Sequence, residues 1–155
     1  MANTSASQQR EERTLARAQR ILDSRWKGRV QLLSRGQVQL HFALRMHGLE
    51  REVFDAAFLD ARHGLIATER LFTGTLCSAE VHPREVVRRA MHHNAASVIV
   101  AHNHPSGFAS PSVADKQITD RLREALALVD VTLLDHIIIG GMQAYSFAGH
   151  ETETR

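Results

Sequence analysis

The sequence predicts an α/β protein in which helices cover a mixed β-sheet. Three observations carry that expectation. Two apolar, β-branched runs, 95–101 (AASVIVA) and 131–139, read as buried strands, and the segment between them has helical periodicity. Runs 52–59 and 65–72, joined across Asp60 and His63-Gly64, read as an antiparallel hairpin. Amphipathic segments at 11–22 and 83–91 add helices before and after that hairpin.

In chain order, residues 1–9 are polar and small and read as a disordered tail. Leu15, Ala18, Ile21 and Leu22 recur at helical spacing, so 11–22 is a short helix. Trp26 and Gly28 mark a boundary, dividing an N-terminal tail and helix (1–28) from a globular domain (29–155). Residues 38–46 (VQLHFALRM) read as a strand, and after Gly48 the hairpin 52–72 follows, ended by Gly74. His82-Pro83 opens a helix, with Pro at a tolerated first-turn position, Glu85 favourable to the dipole, and Val86, Val87, Ala90 and Met91 inward. After the strand 95–101, a helix begins near Ser112 and presents Ile118, Leu122, Ala125, Leu126 and Val129 on one face as far as Asp130. Strand 131–139, a Gly140-Gly141 turn, a short strand 143–147 and a frayed polar end (HETETR) complete the chain.

A chain of 155 residues, 43% hydrophobic and 23% charged, suits one domain that buries its core without disulfides. Formal net charge is only +2. Arg10, Arg13, Arg17, Arg20, Arg25, Lys27 and Arg29 make the N-terminal third basic, but Glu11, Glu12 and Asp23 are interleaved, so a solvated helix face explains them better than nucleic acid. Aromatic content of 5% argues against a base-stacking platform. The single Cys77 excludes an internal disulfide and a cysteine zinc site, and fits a reducing cytoplasm. No long apolar span and a polar N-terminus exclude a membrane helix and a secretory signal. Oligomeric state is left open.

The chemistry concentrates at 101–115 (AHNHPSGFASPSVAD). On a strand, positions i and i+2 share a face, so His102 and His104 converge. A Pro-Ser-Gly turn reverses the chain, and Asp115 falls in the first turn of the next helix. Two nitrogens and one oxygen form a three-ligand set for zinc, one ion per chain, with a fourth position left for water. Ser112-x-x-Asp115 has a structural reading as well, a capping box that satisfies the first free N–H groups of the helix.

This segment resembles the JAMM (MPN+) metalloprotease motif: an upstream Glu, then His-x-His, seven residues, Ser, two residues and Asp. Together with VHPRE at 81–85, HNHPSG at 102–107 and LDHIIIG at 134–140, it looks like the RadC branch of that superfamily, over roughly residues 30–148. The resemblance implies a JAB/MPN fold of the cytidine-deaminase-like group. It is similar to a short form, since the helix-hairpin-helix module that RadC members often carry does not fit in this length.

Metal-assisted hydrolysis also needs a base for the water proton. The resemblance implies a Glu at the start of an earlier strand, for which Glu50, Glu52 and Glu69 are candidates. Glu52 is preferred, because Glu-x-Phe before an apolar run ending at Leu59-Asp60 is where the RadC branch places it. Glu50, two residues away, is the rival. Ser112 is assigned by resemblance to stabilising the oxyanion, beside its reading as a cap. Asp135-His136 on an apolar strand reads as a core pair that could back the metal or touch substrate. His82, His92 and His93 have no matching carboxylate and read as surface or structural.

The implied function is a zinc-dependent hydrolase with JAMM-type metallopeptidase chemistry on a peptide or isopeptide bond of a peptide or protein substrate. The competing reading is a DNA-repair-associated or non-catalytic zinc-binding interaction module of the RadC family. Nucleoside deamination, which shares the fold group, needs cysteine ligands that Cys77 alone cannot supply.

Overall fold

A computed structural model describes residues 2–26, 34–74 and 81–153. The boundary expected at Gly28 and the thiol of Cys77 lie outside the described residues. Helices α1 (Ala2–Trp26) and α2 (Arg35–Met46) come first, then the hairpin β1 (Val53–Leu59) and β2 (Leu65–Thr73). Helix α3 (Pro83–His92), strand β3 (Ser97–Asn103), helix α4 (Val113–Ala127), strands β4 (Thr132–Gly140) and β5 (Gln143–Ser146), and helix α5 (Phe147–Glu153) follow.

The described strands form one five-stranded sheet in the order β2-β1-β3-β4-β5. The β3–β4 pair, bridged by α4, is parallel, and the other three pairs are antiparallel. A mixed sheet flanked by helices is therefore the observed architecture. No helix among the described residues is long and apolar enough to cross a membrane.

Each face of the sheet buries its own core. On one, α2 packs Val38, Phe42 and Met46 against Val53, Ala57, Ile99, Ala101, Ile137 and Ile139. On the other, α3 and α4 bring Val86, Ala90, Leu122 and Leu126 onto Phe54, Ala56, Phe58, Val98 and Val100. The alternation along β1 and β3 produces this split, since successive side chains leave a strand on opposite faces. β1 and β3 are buried throughout because both faces are covered.

Three local expectations are corrected. Residues 38–46 are helical: Val38, His41, Phe42 and Met46 are buried at spacings of a helical face, while Leu40 is exposed. Ser34 caps this helix, its hydroxyl oxygen accepting the Gln37 N–H at 3.3 Å. The polar segment 2–9 continues α1 rather than forming a tail, with the Ser7 hydroxyl bonded to Glu11 one turn on at 3.2 Å. At the other end, residues 147–153 form α5, its start held by the half-buried Asp135, which accepts from the Ser146 hydroxyl at 2.6 Å and the Ala148 N–H at 3.0 Å.

One buried ion cluster ties α2 to the hairpin. Asp55, with no solvent exposure, receives Arg45 of α2 at 2.8 Å and Arg70 of β2 at 2.9 Å.

Candidate metal centre

Strand β3 delivers His102 at its end, with the ring on the α4 side of the sheet, and His104 follows one residue beyond the strand. The chain is held to β4 there, because the His104 N–H donates to the Ile139 carbonyl at 2.8 Å. Gly107 then turns the chain with φ +86°, a conformation that favours glycine. The loop next crosses over Gly140: a Cβ at that position would lie 2.4 Å from both the Ala109 nitrogen and the Phe108 carbonyl carbon. Glycine at the end of β4 is thus what permits the loop to lie against the sheet.

That seating orients one candidate ligand. The carbonyl of Phe108 accepts from His104 Nδ1 at 2.9 Å, which leaves Nε2 unprotonated in the neutral ring and free to bind a metal. Asp115 is placed by the capping box at the start of α4: its N–H donates to Ser112 Oγ at 3.1 Å, and its Oδ2 accepts from the Ser112 N–H and hydroxyl, each at 2.7 Å.

The three expected ligands meet. His102 Nε2 and His104 Nε2 are 3.0 Å apart, Asp115 Oδ1 is 3.1 Å from the first, and Asp115 Oδ2 is 3.4 Å from the second. One donor atom from each lies within 4.8 Å of the others, the only such group of three among the described residues. Burial pushes the Asp115 carboxyl up, but His102, His104 and Ser112 outweigh it and hold the group far below the usual carboxylate range. The His104 pKa is raised, chiefly by Asp115, against the effect of burial, with the Phe108 carbonyl and the charge of Glu52 assisting. An anionic oxygen and two imidazole nitrogens converging on one point could hold a metal ion.

Glu52 lies beside this group. Phe54 pairs with His102 at the end of the β1–β3 ladder, and Glu52, two residues before Phe54, is near enough for its charge to raise the His104 pKa. Asn103 fixes the segment: its Oδ1 accepts the Val53 N–H at 2.8 Å and its Nδ2 donates to the Arg51 carbonyl at 3.0 Å. Glu50 is exposed before the strand begins. Glu69 points elsewhere, to Arg89 and to His93 Nε2 at 2.7 Å, and the guanidinium of Arg89 lowers its carboxyl to about 2. His93 therefore has a carboxylate partner, supplied across the sheet by β2, which its own helix does not reveal.

His136 backs His102. Its Nε2 is 2.7 Å from His102 Nδ1 and its Nδ1 is 2.6 Å from Thr119 Oγ1; all three side chains are buried. Burial drives the His136 pKa well down, with the neighbouring His102 adding to the effect. Residue patterns single out His136 but miss Thr119 and Asn103. Thr119 has a legible signal, one helical turn beyond Asp115 on the same face. Asn103 has none, being the variable position of His-x-His.

An open cleft of about 330 Å³ adjoins His104, lined among others by Met46, Leu49, Asn103, Gly107 and Met142. A larger one of about 830 Å³, between α1 and α2, contains none of the candidate ligands.

The sequence profile of the RadC-like JAB domain matches residues 32–152. The chain is 52% identical over 141 residues to UPF0758 protein YkfG of Escherichia coli, covering 90% of this chain and 89% of that protein. UPF0758 protein YfjY of the same organism is 51% identical over 140 residues, covering 90% and 88%. A UPF0758 protein of Vibrio cholerae is 50% identical over 134 residues, which span 86% of this chain and 60% of that longer protein. These names specify no reaction.

Proposed function

Because this chain belongs to the RadC-like JAB domain family, we propose that it is a zinc-dependent hydrolase that cleaves a peptide or isopeptide amide bond. The observation that carries the reading is the convergence of His102, His104 and Asp115 beside a carboxylate, Glu52, that the ligand set leaves over. Two imidazoles and one carboxylate leave an open position on zinc, whereas calcium and magnesium favour oxygen ligands alone.

When bound there, zinc lowers the pKa of a water from about 16 towards about 7 and polarises a carbonyl oxygen. Glu52 takes the proton of the attacking water and returns it to the leaving nitrogen, a transfer worth roughly 100- to 10,000-fold. The Ser112 hydroxyl, turned from Asp115 Oδ2 towards the substrate, donates to the oxyanion. The cleft beside His104 offers room for the acyl portion of the substrate.

Elemental analysis of purified protein tests the reading, and it separates zinc from ferrous iron, which the same donor set suits. About one zinc per chain is expected, lost in His102→Ala and His104→Ala because only three protein ligands exist. A peptide-library screen then reads cleavage. Full zinc retention in the double variant would overturn the proposal.

A further inference from the structure

A row of hydrogen bonds runs from a backbone carbonyl to the metal-facing side of His102, and its direction is fixed at the far end. Thr119 Oγ1 lies 2.6 Å from the Asp115 carbonyl oxygen and 2.6 Å from His136 Nδ1. His136 Nε2 lies 2.7 Å from His102 Nδ1. A carbonyl oxygen only accepts, and two oxygens this close repel unless a proton lies between them, so the Thr119 hydroxyl donates to Asp115 O. Its one proton spent, Thr119 Oγ1 accepts from His136 Nδ1–H. A His102 that ligates through Nε2 carries its proton on Nδ1, so His136 Nε2 is the acceptor of that 2.7 Å bond. His102 is left with Nε2 towards Asp115 Oδ1 and His104 Nε2.

The geometry points to Thr119 and His136 as positioning residues that fix the tautomer of His102 and thereby its strength as a metal ligand. The row ends on helix α4, the same turn of which supplies Asp115 as a ligand. One residue thus acts twice, its side chain towards the metal and its carbonyl through Thr119 and His136. Ligating histidines commonly lean on a carboxylate or a carbonyl. Here a carbonyl acts at a distance of two side chains, with no extra charge in the core. The inference rests on the metal-binding reading, not on hydrolysis.

The test uses the full chain, first without metal. Ring nitrogen shifts of ¹⁵N-labelled protein are expected to show His136 protonated at Nδ1, with Nε2 a bare acceptor. A proton on His136 Nε2 overturns the inference, whatever the protein does with zinc. Zinc affinity is then measured by competition with a chromophoric chelator, with thermal melts showing that each variant is folded. Thr119→Val and His136→Leu are expected to weaken zinc about 10- to 100-fold. His136→Gln is expected to recover part of that loss, because its amide oxygen can accept from His102 Nδ1–H. Wild-type affinity in folded Thr119→Val, or equal affinities for the Leu and Gln variants, overturns the inference. A wild-type protein that takes up no zinc defeats the zinc reading instead, and the shifts still judge the row.

Discussion

Phe54 and His102 face one another across the β1–β3 ladder, their rings stacked with centroids 6.2 Å apart and planes 12° from parallel. The pair holds the ring plane of a candidate ligand and closes the ladder two residues from Glu52. Glu52→Gln should keep the fold and the zinc, since an amide fills the same volume, while hydrolysis falls by about 100-fold or more. Glu50→Gln should be near neutral. Elemental analysis beside a cleavage assay reads both. Unchanged turnover in Glu52→Gln would sink its assignment as the base.

Ser112 has two tasks that one substitution separates. Its oxygen caps α4 and its proton goes to Asp115 Oδ2 at 2.7 Å. Ser112→Ala should cost about 1 kcal/mol in a urea melt through the lost cap. It should leave zinc bound and reduce hydrolysis by roughly 10- to 1000-fold as an oxyanion donor is removed. Lost stability with full turnover would make Ser112 a cap alone.

The hairpin, the helices α3 and α4, the strands β3 and β4 and the ligand triad are all legible in the sequence, because each has a strong period or fixed spacing. Residues 38–46 were not, and the reason is physical. Val38, Leu40, Phe42, Leu44 and Met46 alternate as a strand would, yet His41 is buried and Leu40 is not. A short apolar run fits both periods, and only Ser34, acting as a cap four residues earlier, favours the helix. The partners of Glu69 and His136 were hidden for a different reason: Arg89 and Thr119 reach them from other elements, which only tertiary packing brings together.

The buried Asp55 cluster should matter to the fold and not to the metal. Asp55→Ala removes the acceptor shared by Arg45 and Arg70 and should cost about 3 kcal/mol, the low end for a broken buried pair, because both arginines can regain water. Chemical denaturation measures this, and zinc content should stay at the wild-type level. A loss below about 0.5 kcal/mol would place the cluster with ordinary surface pairs.

Glu69 makes acid stability testable. Its carboxyl is lowered from 4.5 to about 2 by Arg89, with His93 assisting. A depressed carboxyl contributes stability that is full above the unfolded value and is lost as pH falls through the folded one. Glu69→Gln should therefore be less stable than wild type at neutral pH, and the gap should close between about pH 4.5 and 2. Urea unfolding across that window reads it. A gap independent of pH would show that the carboxyl charge contributes nothing.

Gly140 gives the site a tolerance set by a single missing methyl. The loop crossing it carries the carbonyl that aims His104, and the space over its Cα is already filled by the backbone of Phe108 and Ala109. Backbone cannot rotate aside as a side chain can. Any substituent here would lift the whole crossing and carry that carbonyl with it, while β4 stayed in register with β3. The alignment of His104 thus depends on a strand position that contributes no atom to the site.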